Sequence, residues 1–176
     1  MRRVVPASLL LAVLLVVTGC RSDPAVRPAT TAPPATSEAP PTTVAVQRDI
    51  LASDDDPPGA PGRTLTLVRY TIAPGAELVP HVHPGVQLAS IQAGSLAYTV
   101  MTGTATVKRA DGAVEEITGP TSTTLAVGDA VTETGDMVHF GANKTDAPVV
   151  ILSTLLTETG RDLAVPVTAV PTTVPG

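Results

Sequence analysis

Tryptophan is absent, and the 176-residue chain has only two tyrosines, one phenylalanine, one cysteine and three histidines. With aromatics at 2% there is no platform of rings on which single-stranded bases could stack. One cysteine excludes an internal disulfide and a four-cysteine zinc site. Basic residues are scarce: eleven Lys and Arg face sixteen Asp and Glu, for a net charge of −5. That balance argues against a nucleic-acid binder, which needs a basic surface to meet phosphates. No long segment carries a 3.6-residue apolar period, which argues against a helical bundle. What the chain does have is 18 prolines and 14 glycines, the mark of a turn-rich β body with loose ends. A hydrophobic content of 43% suffices for a core, and the length allows one domain.

The N-terminus reads as an address. Arg2 and Arg3 precede an apolar run from Leu9 to Val17, which ends in Thr18-Gly19-Cys20. This is the layout of a secretory signal, and the run is short for a transmembrane helix. Val17-Thr18-Gly19-Cys20 resembles the lipobox of bacterial lipoproteins. The resemblance implies lipid transfer to the Cys20 thiol, cleavage after Gly19 and acylation of the new terminus by a chain such as palmitate. The mature protein would then sit on the extracytoplasmic face of the cell membrane, since several acyl chains anchor stably. Loss of residues 1–19 leaves nine basic against sixteen acidic residues, or −7, so attachment would come from lipid and not from a basic surface. An ordinary signal with a chance cysteine, or an uncleaved anchor, is the competing reading.

Residues 20–46 are rich in Pro, Thr, Ala and Ser and read as an extended linker. Residues 47–159 hold the folded domain. Residues 160–176 return to a Pro/Thr/Val composition and read as a flexible tail, with room for an edge strand over 163–167. Inside the domain, short β-branched runs alternate with turn signals. Strands are expected over 63–72, 86–92, 96–101, 104–109, 114–118, 123–126, 130–134, 138–142 and 149–156. Asp111-Gly112 marks a hairpin. Asp54-Asp55-Asp56-Pro57-Pro58-Gly59 reads as a solvated loop. So many short strands in one small domain mean an all-β sandwich or barrel.

The chemistry lies in the three histidines. His81-Val82-His83 places two imidazoles on one face of a strand, a chelating edge for a first-row divalent metal. His139 lies in a second strand motif, Met137-Val138-His139-Phe140. Gly75, His81, His83, Gln87 and Gly94 resemble, at full spacing, the first motif of the cupin superfamily. Gly128, His139 and Asn143 resemble the second. The resemblance implies a single cupin β-barrel of jelly-roll type, a double-stranded β-helix. It also implies a divalent metal ion (Fe, Mn, Ni, Cu or Zn) held by His81, His83, Gln87 and His139.

Three positions depart from the pattern. Gln87 stands where the family usually has Glu, and Thr134 and Asp136 stand where it has Pro and Gly. An amide oxygen is a neutral, weaker donor than a carboxylate, and the Gln87 amide can instead donate a hydrogen bond. A metal-free pocket is therefore the alternative to a metal site. Glu77 is a candidate substitute carboxylate or an exposed residue at a strand start. Tyr98 and Met101 fall on opposite parities, so only one can face the cup. Met137 shares the parity of His139 and should line the cavity, whereas Phe140 should be core. Asn143 should hold a turn.

Two functions fit. One is a surface-tethered module that binds a metal, a small molecule or both, without catalytic residues of its own. The other is a metal-dependent dioxygenase resembling the quercetinase or diketone-cleaving cupins. Relatives of this family often pair, so a homodimer is a further expectation.

Overall fold

The structure, a computed structural model, describes residues 45–167. The signal segment over 1–19, Cys20, nearly all of the linker and residues 168–176 lie outside the described residues.

Every element among the described residues is a strand: β1 (Val46–Asp55), β2 (Arg63–Ile72), β3 (His81–Val82), β4 (Gly85–Ala93), β5 (Ser95–Thr102), β6 (Thr104–Lys108), β7 (Val114–Thr118), β8 (Thr121–Ala126), β9 (Ala130–Glu133), β10 (Val138–Ala142), β11 (Val149–Glu158) and β12 (Val165–Pro166). They form a jelly roll of two antiparallel sheets. One has the order β1-β2-β11-β4-β9-β6-β7, the other β12-β3-β10-β5-β8.

Side-chain alternation decides which face of each strand is buried. In β2, Thr66, Val68 and Ile72 turn inward, and in β11 Val149, Ile151, Ser153, Leu155 and Thr157 do so. Ile91, Leu96, Val100, Val107, Leu125 and Val131 complete much of the core between the sheets. Each such side chain contributes about 1.5–3 kcal/mol when fully buried. The β4–β5 turn needs Gly94: its φ is +76°, and a Cβ there would lie 2.8 Å from the Pro148 carbonyl oxygen.

β1 was not expected as a strand. Asp54 and Asp55, read as loop, are its last two residues, paired with Leu65 and Thr64 of β2. β1 is a sheet edge with nearly every side chain exposed, so it carries no alternation to read. The edge strand allowed for over 163–167 is present as β12, which pairs with β3.

Phe140 corrects one expectation. It does point away from His139, but that side of β10 faces outward, and Phe140 is only half-buried. The core and the histidine share the inner face. Met137 is fully buried in the core rather than lining the cavity.

Candidate metal centre

β3 and β10 are adjacent, and their register sets His81 directly opposite His139. His83 follows two residues after His81. The ring centroids lie 4.4 Å apart for His81 and His139, and 5.1 Å for each of the other two pairs. One ligand nitrogen from each of the three lies within 4.8 Å of the others, and all three residues are buried.

Two of the rings have their tautomers fixed from outside. His81 Nδ1 lies 2.9 Å from the Val79 carbonyl, and His83 Nδ1 lies 2.6 Å from the Leu163 carbonyl. A carbonyl only accepts, so each Nδ1 carries the proton and each Nε2 keeps its lone pair. His83 Nε2 and His139 Nδ1 are buried without a hydrogen-bond partner. Buried imidazoles with outward-anchored Nδ1–H groups and free lone pairs are the donor set that a divalent cation needs. The residues fit a metal, which would bring a double positive charge and Lewis acidity to this point.

The opposite sheet supplies the rest of the site. Gln87 on β4 and Glu133 on β9 are register partners, both inward and buried. Gln87 Nε2 donates to Glu133 Oε2, and Gln87 Oε1 has no partner. Glu133 Oε1 lies 3.2 Å from His139 Nε2, and Oε2 lies 3.3 Å from His83 Nε2. Thus all four residues named from the sequence meet, and they meet around a carboxylate that was not named.

Charge and burial shape the ionisation here. Burial, reinforced by the neighbouring His139, pushes the His81 pKa down to about 4, which keeps the imidazole neutral. Burial works to raise the Glu133 pKa, but its contacts with His139 and His83 prevail and hold it below the usual carboxylate range. Burial, and then the charge of Glu133, push the Tyr98 pKa up, so its hydroxyl stays protonated.

The imidazoles sit at one end of a cavity of about 320 Å³. Its walls are mainly apolar, with Ile72, Leu96, Leu125, Val131 and Ile151 among them. Tyr98 lines it, while Met101 does not. The exposed Glu77 and Val79 stand at its rim, so Glu77 is too solvated to serve as a buried ligand. Ala164 and Pro166 of the C-terminal segment close another side.

The turns around the cup carry their own hydrogen bonds. Asn143 holds its turn as expected: Nδ2 donates to the carbonyls of Ile72 (3.0 Å) and Ala147 (2.8 Å), and Oδ1 accepts from Thr145 N and Oγ1. Thr134 Oγ1 donates to Asp136 Oδ1 at 2.6 Å, so a side-chain bond stabilises a turn that lacks Pro at 134 and Gly at 136.

The sequence matches no protein-family model and no curated protein. The structure does resemble solved ones. An oxalate oxidase bound to glycolate is 17% identical with a TM-score of 0.48, over 70% of this chain and 55% of that one. A cupin superfamily protein from Desulfitobacterium hafniense is 18% identical with a TM-score of 0.47, over 68% and 83%. The oxalate decarboxylase of Bacillus subtilis, a protein with Mn(II) centres, is 19% identical with a TM-score of 0.48, over 74% of this chain. This chain spans about half of the oxalate oxidase (55%) and less than a third of the decarboxylase (30%).

Glu133 is the functional residue that sequence reasoning missed. A signal was present. In Ala130-Val131-Thr132-Glu133 the apolar Val131 marks the inward parity, and Glu133 shares it.

Proposed function

We propose that this chain is a membrane-tethered, extracytoplasmic cup that holds a divalent metal ion and, against it, a small, neutral, largely apolar molecule. One observation carries the reading: three imidazoles converge at the polar end of an apolar cavity. The volume, about 320 Å³, is at the low end for small-molecule sites. No Lys or Arg lines the cavity among the described residues. A small dianion would therefore be desolvated beside Glu133 with no protein cation to balance it. The hydroxyls of Tyr98 and Ser153, both buried without partners, offer hydrogen bonds to the polar end of a ligand. Imidazole donors suit Fe, Mn, Ni, Cu and Zn. The tether rests on the lipobox-like segment ending at Cys20; its test is labelled palmitate, expected to enter the wild type and not Cys20→Ala.

Metal content by mass spectrometry tests the cup, on untagged mature chain purified without chelators. The expected result is a near-stoichiometric divalent metal that disappears in His81→Ala/His83→Ala. A chain that takes up no metal after reconstitution sinks the reading.

A second reading, a metal-dependent dioxygenase, is favoured by one feature. The imidazole face opens on the same cavity as Tyr98 and Ser153, so a ligand held there lies beside the metal position. Oxygen consumption by the metal-loaded chain, with β-diketones or flavonols as probes, separates turnover from binding.

A further inference from the structure

Glu133 is a buried carboxylate whose polar neighbours are two imidazoles and an amide. It is 2% exposed. The cavity it lines has no Lys or Arg among the described residues. The Gln87 amide donates to its Oε2, and His139 Nε2 lies 3.2 Å from its Oε1. Facing it at 3.3 Å is His83 Nε2, whose ring already spends its proton on the Leu163 carbonyl. Two lone pairs at that distance repel unless a positive charge, a proton or a metal ion, sits between them.

The register explains how the carboxylate came to be there. Gln87 and Glu133 are direct cross-strand neighbours on β4 and β9, both pointing inward. Side chains so paired start about 5 Å apart, so a carboxylate on either strand can reach the same point. Glutamate stands one position across the ladder from where the spacing pattern places it, and glutamine stands at the patterned position.

We propose that Glu133 is the carboxylate ligand of the metal held by His81, His83 and His139, and that Gln87 is a positioning residue that orients it through its amide. The inference rests on the metal reading of the cup. Gln87 thus exchanges the ligand role expected from sequence for that of hydrogen-bond donor, and the site regains the single negative charge that Gln87 alone would have cost it.

The test uses the mature chain and Mn(II), read by electron paramagnetic resonance and by competition with a chelator. Glu133→Gln is expected to weaken Mn(II) binding by about 100-fold or more, beyond the range typical of outer-shell changes. The exchange variant Gln87→Glu/Glu133→Gln is expected to recover affinity to within about tenfold of wild type, because the carboxylate reaches the same point from β4. A Glu133→Gln variant that binds like wild type overturns the assignment. So does an exchange variant that binds no better than Glu133→Gln. A wild-type chain that binds none of Mn(II), Fe(II), Ni(II), Cu(II) and Zn(II) overturns the metal reading along with this inference, whereas wild-type binding with an indifferent Glu133→Gln overturns this inference alone.

Discussion

At the residue scale, a few polar side chains are each asked for several bonds at once. Asn143 is 1% exposed and uses both ends of its amide. Asn143→Ala strips a donor from the buried carbonyl of Ile72 and one from the carbonyl of Ala147, and should cost about 1–3 kcal/mol in urea unfolding. Asn143→Asp should fare no better, because a carboxylate cannot donate. His81 gives a pH dependence. Its folded pKa of about 4 lies below the ordinary 6.5, so the unfolded chain takes the proton first as pH falls. The neutral ring's contribution is therefore complete above about pH 6.5 and is lost as pH drops toward 4, by at most about 3 kcal/mol. Thermal melts of metal-free protein between pH 7.5 and 4 should show that decline, and His81→Asn should flatten it. The histidines were legible because they are rare and their spacing is unusual. Glu133 was passed over: its parity with Val131 points inward, but a glutamate at a strand end gives no sign of its purpose until its cross-strand neighbour is known.

At the scale of elements, legibility followed burial. β2 and β11 alternate because one face meets the core, and their limits could be read closely. β1 lies on a sheet edge, where Arg48, Asp49, Asp54 and Asp55 give the composition of a loop. β12 is only two residues long, and its tail-like composition hides what it does. Val165 and Pro166 pair with β3, Val167 N donates to the Pro80 carbonyl at 2.8 Å, and the Leu163 carbonyl anchors His83. A chain ending at Arg161 keeps all strands of the larger sheet but frees His83 Nδ1. It should lose about 10–100-fold in metal affinity, measured by titration, while circular dichroism keeps its β signature. A wild-type affinity in that truncation would rule out a role for the tail in holding the ligand.

For the whole molecule, the centre joins the two sheets. The imidazoles of His81 and His139 come from one sheet, Gln87 and Glu133 from the other. A metal between them binds only the folded arrangement, so metal at about a thousand times its dissociation constant should add about 4 kcal/mol to stability. Calorimetry with and without chelator should show a higher melting temperature that reverses on metal removal. The strand order carries a kinetic consequence as well. β11, among the last strands to be synthesised, belongs between β2 and β4 in the middle of its sheet. Until it arrives, two early strands hold open edges with no neighbour to pair with, and the contacts that close them are distant in sequence. Metal uptake is therefore expected only of molecules in which β11 is in place, and a chain cut short before Val149 should aggregate in sedimentation assays rather than bind metal.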